Sequence, residues 1–491
     1  MEDNINNPQR DAAPEIPPRK AWPIEGRDRR ILPISFALAF LVACVLVEML
    51  IVGQLPGLGT ALLAAGWYVA LFLGRGTAGM ERKENRWLMA AAAALSLTLV
   101  LFSNPWFRRW NHIFLILLLS VHTWELCGGV RLPWHRAGML AERLGLMISG
   151  CFARLGALRD ALSAATKQGK SRWLPVLAGI ALACPVLLVV TSVLMDADAF
   201  FALVAEKATQ WLWGKGRLSE LMTRLILALI AMPFLFSLLY FAAHPAEAEV
   251  RQRQRSKRDS LPAVILLGAL DALYLFFIGV QSAALFGGAD YLAKAGISFA
   301  EYARSGFFQL VGLAGLNIGL ILLVVWLCRE DRWLRWLSTA LVALTAVLLV
   351  SALWRMSLYV AAYGLSFKRF LTYWGMIMLA IGLILTLRKI WREDFSFFRA
   401  AAPILLAGWL VLNYCNVDGV VAACNAARVK AGDLPQSAVD DLIVTSGGYD
   451  SLYALRGTAD EVLVQWHEDN AAWESRHWVT WNLSAQLHAR K

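Results

Sequence analysis

Charge is what this 491-residue chain has least of: Asp, Glu, Lys and Arg together make up 17% of it, against about 25% in an ordinary soluble domain. With 58% apolar residues and a mean hydropathy of +0.53, that scarcity excludes a soluble globular enzyme and a disordered chain. Cysteine is thin as well, seven in the whole sequence, which excludes a disulfide-stapled secreted domain. The local signatures of common chemistry are missing too. No HExxH, P-loop, CxxC or GxSxG pattern occurs, and the seven His are scattered, so neither a metal nor a cofactor is expected. One GxGxxG match, Gly74–Gly79, lies between two apolar runs without strand–turn–helix context and reads as a flexible turn.

Apolar runs long enough to cross about 30 Å of hydrocarbon are abundant. Eleven are expected, at about 31–54, 58–73, 87–103, 111–130, 173–195, 219–242, 262–286, 305–328, 337–357, 370–387 and 400–415. With the N-terminus inside, the inner segments carry 30 Lys and Arg and the short outer loops 9. Cytoplasmic loops are enriched in such residues, so the expectation is N-terminus in and C-terminus out, as in a bacterial inner-membrane protein. The net charge of +11 is then a topology signal and gives no reason to expect nucleic acid. Basic clusters such as Arg251–Arg258 are placed to meet anionic lipid headgroups at the cytoplasmic face, and Trp87, Trp106, Trp110, Trp173, Trp326, Trp333 and Trp391 fall at span ends.

The expected fold is therefore an all-α polytopic membrane bundle in five parts. Residues 1–30 form a disordered cytoplasmic tail, 31–130 the first four spans, 131–172 a cytoplasmic amphipathic helix, 173–415 seven further spans, and 416–491 a small extracytoplasmic subdomain. In 131–172 a helical stripe runs through Leu140, Leu144, Met147, Cys151, Leu155, Leu158 and Leu162. Arg136, Arg143, Arg154 and Arg159 lie off it, which suits a helix on the inner leaflet with snorkelling arginines or one packed on the ends of the bundle. In the final part Val417–Lys430 reads as a helix, Gly432-Asp433 and Gly447-Gly448 as turns, and Trp466, Trp473, Trp478 and Trp481 cluster near the end. Cys415 and Cys424 are either a disulfide or a pair of spectator thiols.

Ionisable and polar residues inside spans are functional candidates. Glu48, His122, Glu125, Asp271, Asn317 and Arg355 qualify, with Asp271 nearest the midplane and His122 three residues from Glu125 on one helix face, close enough to share a proton. The competing reading is that they bond across helices and only hold the bundle together.

The stretch SFAEYARSGFF (Ser298–Phe308), following FGGADY (Phe286–Tyr291), resembles the motif region of a bacterial family of integral membrane proteins known as domain of unknown function 4173, with a close relative, 4153. MDADAFFALV (Met195–Val204), NYCNVDGVVAACNAAR (Asn413–Arg428) and WVTWNLS (Trp478–Ser484) are similar to other segments of that family. The resemblance covers roughly residues 170–491. It implies an outer-face motif comprising Asp196, Asp198, Glu301, Tyr302, Arg304, Phe307, Phe308, Asn425 and Arg428, and it brings no activity, substrate or catalytic residues. Read physically, Glu301 and Arg304 are spaced to pair on one helix face.

Three functions compete. The first is an envelope scaffold or sensor that contacts lipid, or a protein partner through the C-terminal subdomain. The second is a proton-coupled transporter using Asp271 and the other intramembrane carboxylates. The third is a lipid-linked transferase using Asp196, Asp198 or Glu301. Multi-spanning glycosyltransferases need an acidic residue in the first outer loop, and Leu55–Gly57 offers none.

Overall fold

A computed structural model of the chain describes Ile24, residues 28–133, 138–167, isolated positions between 179 and 207, and then 217–245, 257–286, 307–329, 331–446 and 448–489. Among the described residues the protein is an all-α bundle with no strand. Twelve long or medium helices come first: α1 (Asp28–Val52), α2 (Leu58–Arg75), α3 (Lys83–Leu101), α4 (Pro105–Cys127), α5 (Met139–Ala153), α6 (Leu155–Lys167), α7 (Arg217–Ala243), α8 (Leu261–Phe286), α9 (Phe307–Leu327), α10 (Arg332–Tyr363), α11 (Phe367–Trp391) and α12 (Phe397–Tyr414). The C-terminal part follows as α13 (Val417–Lys430), α14 (Ser437–Ser446), a 3₁₀ turn at Tyr449–Ser451, α15 (Leu452–Leu455), α16 (Glu461–Ser475) and α17 (Leu483–His488).

Among the described residues, eight helices are long and apolar enough to cross a membrane: α1, α2, α7, α8, α9, α10, α11 and α12. Of the other three expected spans, 173–195 lies mostly outside the described residues. The remaining two are α3 and α4, both in the bundle but less apolar. α3 opens on Lys83, Glu84 and Arg86, and α4 carries Arg108, Arg109, His112, His122 and Glu125.

The helices form two groups. In the first, α1, α2 and α7 pack closely, with Ala39 and Ala43 of α1 against Ala228 of α7. Small residues at such a seam let helix backbones approach where lipid supplies no hydrophobic drive. α3 and α4 join this group and reach α12 through Leu95, Leu99, Leu115, Trp409 and Leu412. The second group is α8 to α11, around Leu267, Tyr274, Ile321, Leu341, Leu348 and Met376. The groups meet along a strip of rings: Phe367 of α11 lies 5.3 Å from Phe107 and 5.5 Å from Trp106, both of α4, and Trp374 lies 5.9 Å from Trp409.

The single interfacial helix expected over 131–172 is two helices. They break at Arg154, whose backbone N–H donates to Ser237 Oγ of α7 at 2.9 Å. The buried line is Arg143, Gly150, Ala157 and Ala161, one position away from the leucine stripe, because α5 and α6 pack on α7. Arg143 does not snorkel. It is 1% exposed and bonded to Glu125, to Glu142 and to the Leu132 carbonyl, at 2.7, 2.7 and 2.8 Å.

Two opposite faces follow from these contacts. Helices α5 and α6, the α2–α3 and α4–α5 turns and the end of α7 lie on one. The α1–α2, α3–α4 and α10–α11 turns lie on the other, beneath α13 to α17, which form a cap with its own core of Val439, Ile443, Leu452, Leu455 and Ala471. The chain turns from α12 into the cap at Asn416, whose φ of 45° is left-handed and whose side-chain oxygen accepts from the Gly419 N–H at 3.0 Å. Asparagine tolerates that backbone and caps the new helix at once.

Candidate functional site

A dense cluster of buried polar groups lies at the seam between cap and bundle. Asp450, in the 3₁₀ turn, accepts from the Ser103 N–H at 2.9 Å, the Ser103 hydroxyl at 3.1 Å and the Asn104 N–H at 3.2 Å. These are the free donors ahead of α4, so Asp450 does from the cap what a local capping residue would do. Asn104 itself caps α4 by accepting from the Phe107 N–H, and its amide donates to Asp418 Oδ2 at 2.7 Å. Gly448 fits closely here: a Cβ would sit 3.1 Å from both the Asn104 Cα and Asp418 Oδ2, so its neighbours would have to give way.

Both aspartates are buried. Burial, together with the neighbouring Asp450 charge and against the Asn104 hydrogen bond, pushes Asp418 up to about 7. Burial also raises Asp450, partly offset by bonds from Ser484, Ser103 and Asn104. Beside them Arg108 of α4 pairs with Glu474 of α16, and Glu474 accepts from Asn482 Nδ2 at 3.1 Å. His467 of the cap is buried, lies 5.8 Å from the Tyr449 ring and is lowered by desolvation.

Two further contacts fasten the cap. The Gly57 and Gly59 N–H groups donate to the Val479 carbonyl at 2.8 and 3.0 Å, and a Cβ on Gly57 would come within 2.7 Å of the Trp481 carbonyl oxygen. On the other helix group, Asn425 bonds both backbone groups of Leu365, while Arg428 donates to the Val360 and Ala361 carbonyls at 3.0 and 2.6 Å, closing the end of α10. Two members of the expected outer-face motif, Asn425 and Arg428, are thus docking residues.

The rest of that motif divides. Asp198 Oδ1 accepts from the Phe200 and Phe201 N–H groups, both at 2.8 Å, as a helix cap does. Asp196 and Phe308 are exposed. Glu301, Tyr302, Arg304 and the Phe307 side chain lie outside the described residues, as does the expected Glu301–Arg304 pair. Cys415 and Cys424 are both exposed free thiols.

The intramembrane candidates do not converge. Glu48 meets Arg224 of α7 at 3.2 Å and His477 of the cap at 3.3 Å. His122 and Glu125 do not share a proton. His122 Nδ1 is 2.7 Å from the Tyr68 hydroxyl, and Glu125 is taken by Arg143. Asn317 accepts from the Tyr274 hydroxyl at 3.0 Å and donates to Thr345 Oγ1 at 2.9 Å. Arg355 is buried in α10. Asp271 is buried in α8, and neither of its oxygens has a hydrogen-bond partner among the described residues.

Sequence reasoning passed over Asn104, Arg108, Asp418, Asp450 and Glu474, and also the buried set Thr98, Asn111, Trp409 and Asn413 that ties α3, α4 and α12 at 2.7–2.9 Å. Asn111 and Asn413 were open to discovery by the rule already applied to Asn317, polar groups in apolar runs.

A family model covers residues 88–445 of this architecture, from α3 to the end of α14. The chain belongs to that family, described as Domain of unknown function (DUF4153). It is the relative named beside 4173 in the sequence resemblance, and the match reaches back to α3 rather than starting near residue 170. Asn104, Arg108, Asp418, Asn425 and Arg428 fall inside the family region; Asp450, Glu474 and His477 fall beyond it. No curated protein and no solved structure matches the chain.

Proposed function

We propose that this multi-pass membrane protein is an envelope scaffold or sensor of the bacterial inner membrane. The carrying observation is the cap: it grips the α1–α2 and α3–α4 turns of one helix group and the α10–α11 turn of the other, so an event on the cap reaches both groups. The excess of Lys and Arg in the segments expected inside, 30 against 9 in the short outer loops, supports a cytoplasmic α5–α6 face and an outer cap. α6 ends near the α5–α6 face and α7 begins near Glu48 at the cap face; an eleventh crossing at 173–195 agrees with that change of side.

The cap offers a contact surface. Val462, Trp466 and Trp473 lie along one face of α16 and are all exposed, Trp466 at 58%, and His477 beside Trp473 reaches Glu48 near the end of α1. Indole rings at that level suit lipid headgroups or a protein partner. A photo-reactive residue at Val462 or Trp466, activated in living cells, tests the reading. A discrete protein adduct or a lipid adduct that weakens when the cap's hold is loosened by Asn425→Asp supports it. Absence of any adduct, with substrate flux through purified protein, overturns it.

A further inference from the structure

We propose that Asp271 is a proton-binding site, loaded from the cap face through polar side chains at the junction of α8, α9 and α10. The inference is independent of the scaffold reading, because it needs only the second helix group.

Asp271 lies ten residues into α8, about 15 Å along the helix at 1.5 Å per residue. It is 6% exposed, and neither carboxylate oxygen has a partner among the described residues. Among the described residues of the four helices around it, no charged side chain lies level with Asp271. Asp271 is the one charged residue in α8, and α9 has none. α10 has none between Arg335 and Arg355, and α11 none between Arg369 and Arg388. The other titratable side chains of these stretches are Tyr274 in α8 and Tyr373 in α11. An ionised carboxylate in such surroundings is costly, so the stable form carries a proton. A metal ion would need several oxygen ligands, and a single carboxylate with no hydrogen-bond partner among the described residues does not supply them.

The route follows from side-chain order. Positions 271, 274 and 281 share one face of α8. Tyr274 is bonded to Asn317 and through it to Thr345. Gln281, nearer the cap, accepts from Ser351 Oγ at 2.9 Å, and Arg355 stands one turn further along α10. Toward the opposite face the buried core of α8 and α10 includes Leu267 and Leu334. Polar groups therefore lie on the cap side of Asp271, and leucines lie toward the opposite face. Loading forms an O–H bond on Asp271 with a proton taken from hydronium, which leaves water.

The test is infrared spectroscopy of the full chain in lipid vesicles, following the C=O band of a protonated carboxyl. Expected is a band that Asp271→Asn removes and Asp271→Glu restores at a shifted frequency. Its hydrogen–deuterium exchange is expected to slow in Gln281→Leu and Ser351→Ala, which keep the carboxyl. A band that survives Asp271→Asn, no such band in the wild type, or exchange unchanged by the two route variants overturns the proposal. Should Asp271→Asn fail to fold, the Glu and route variants decide it.

Discussion

Asn425 and Leu365 hold each other by two hydrogen bonds, the side-chain amide donating to the Leu365 carbonyl at 2.8 Å and the side-chain oxygen accepting from its N–H at 2.9 Å. Such an exchange needs a donor and an acceptor side by side, which the carboxamide of Asn supplies.

Asn425 is 2% exposed, so Asn425→Ala leaves two buried backbone groups unsatisfied and is expected to cost about 2–3 kcal/mol. Asn425→Asp keeps the acceptor and loses the donor. Both variants should make the cap more sensitive to proteolysis while the bundle's far-ultraviolet circular dichroism stays unchanged. Unaltered cleavage of residues 417–489 would show that this contact does not hold the cap.

Arg143 and Glu125 form a buried pair on the opposite face. Removing one partner of such a pair costs about 3–5 kcal/mol, because the other charge stays buried and uncompensated. Arg143→Met is expected to be worse than Glu125→Gln, since Arg143 also holds Glu142 and the Leu132 carbonyl. The double variant should lose less than the sum of the two, read as thermal melting in a double-mutant cycle.

The seam makes stability depend on pH. Burial raises Asp418 from 3.8 to about 7, so in that interval the folded chain keeps a proton that the unfolded chain releases. This contribution is full below 3.8, falls as pH rises and is gone above about 7. A displacement of that size corresponds to about 4 kcal/mol. Asp450 is raised as well and acts in the same sense. His467, lowered by burial, acts oppositely, costing stability as pH drops below its ordinary 6.5. The clean readout is the difference between wild type and Asp418→Asn: the variant should show a shallower decline between acid and neutral pH, since Asp450 remains. Parallel melting curves for the two would remove Asp418 from the account.

Sidedness is checked with reporters. One inserted in the exposed turn between Gly432 and Asp433 should be active only outside the cytoplasm, and one within 246–256 only inside. Both on one side would contradict the opposed faces described above.

How much of this was legible in the sequence depended on the range of the interaction. The helix Val417–Lys430 has the limits its sequence implied, because capping and periodicity are local. The long apolar runs were legible for the same reason, and α3 and α4 less so because their polar residues are satisfied by distant partners. Asn104 and Asp418 are 314 residues apart, and Ser103 and Asp450 are 347 apart; no spacing rule reaches that far. Arg143 was misplaced because an off-stripe arginine looks like a surface group until Glu125 is brought beside it.

The narrow aromatic strip between the two helix groups has a mechanical consequence. Joined along one edge and riveted at one end, the groups resemble two leaves on a shared spine. Load applied to the rivet becomes torque about that spine. The displacement it produces is smallest beside the rings and grows with distance from them.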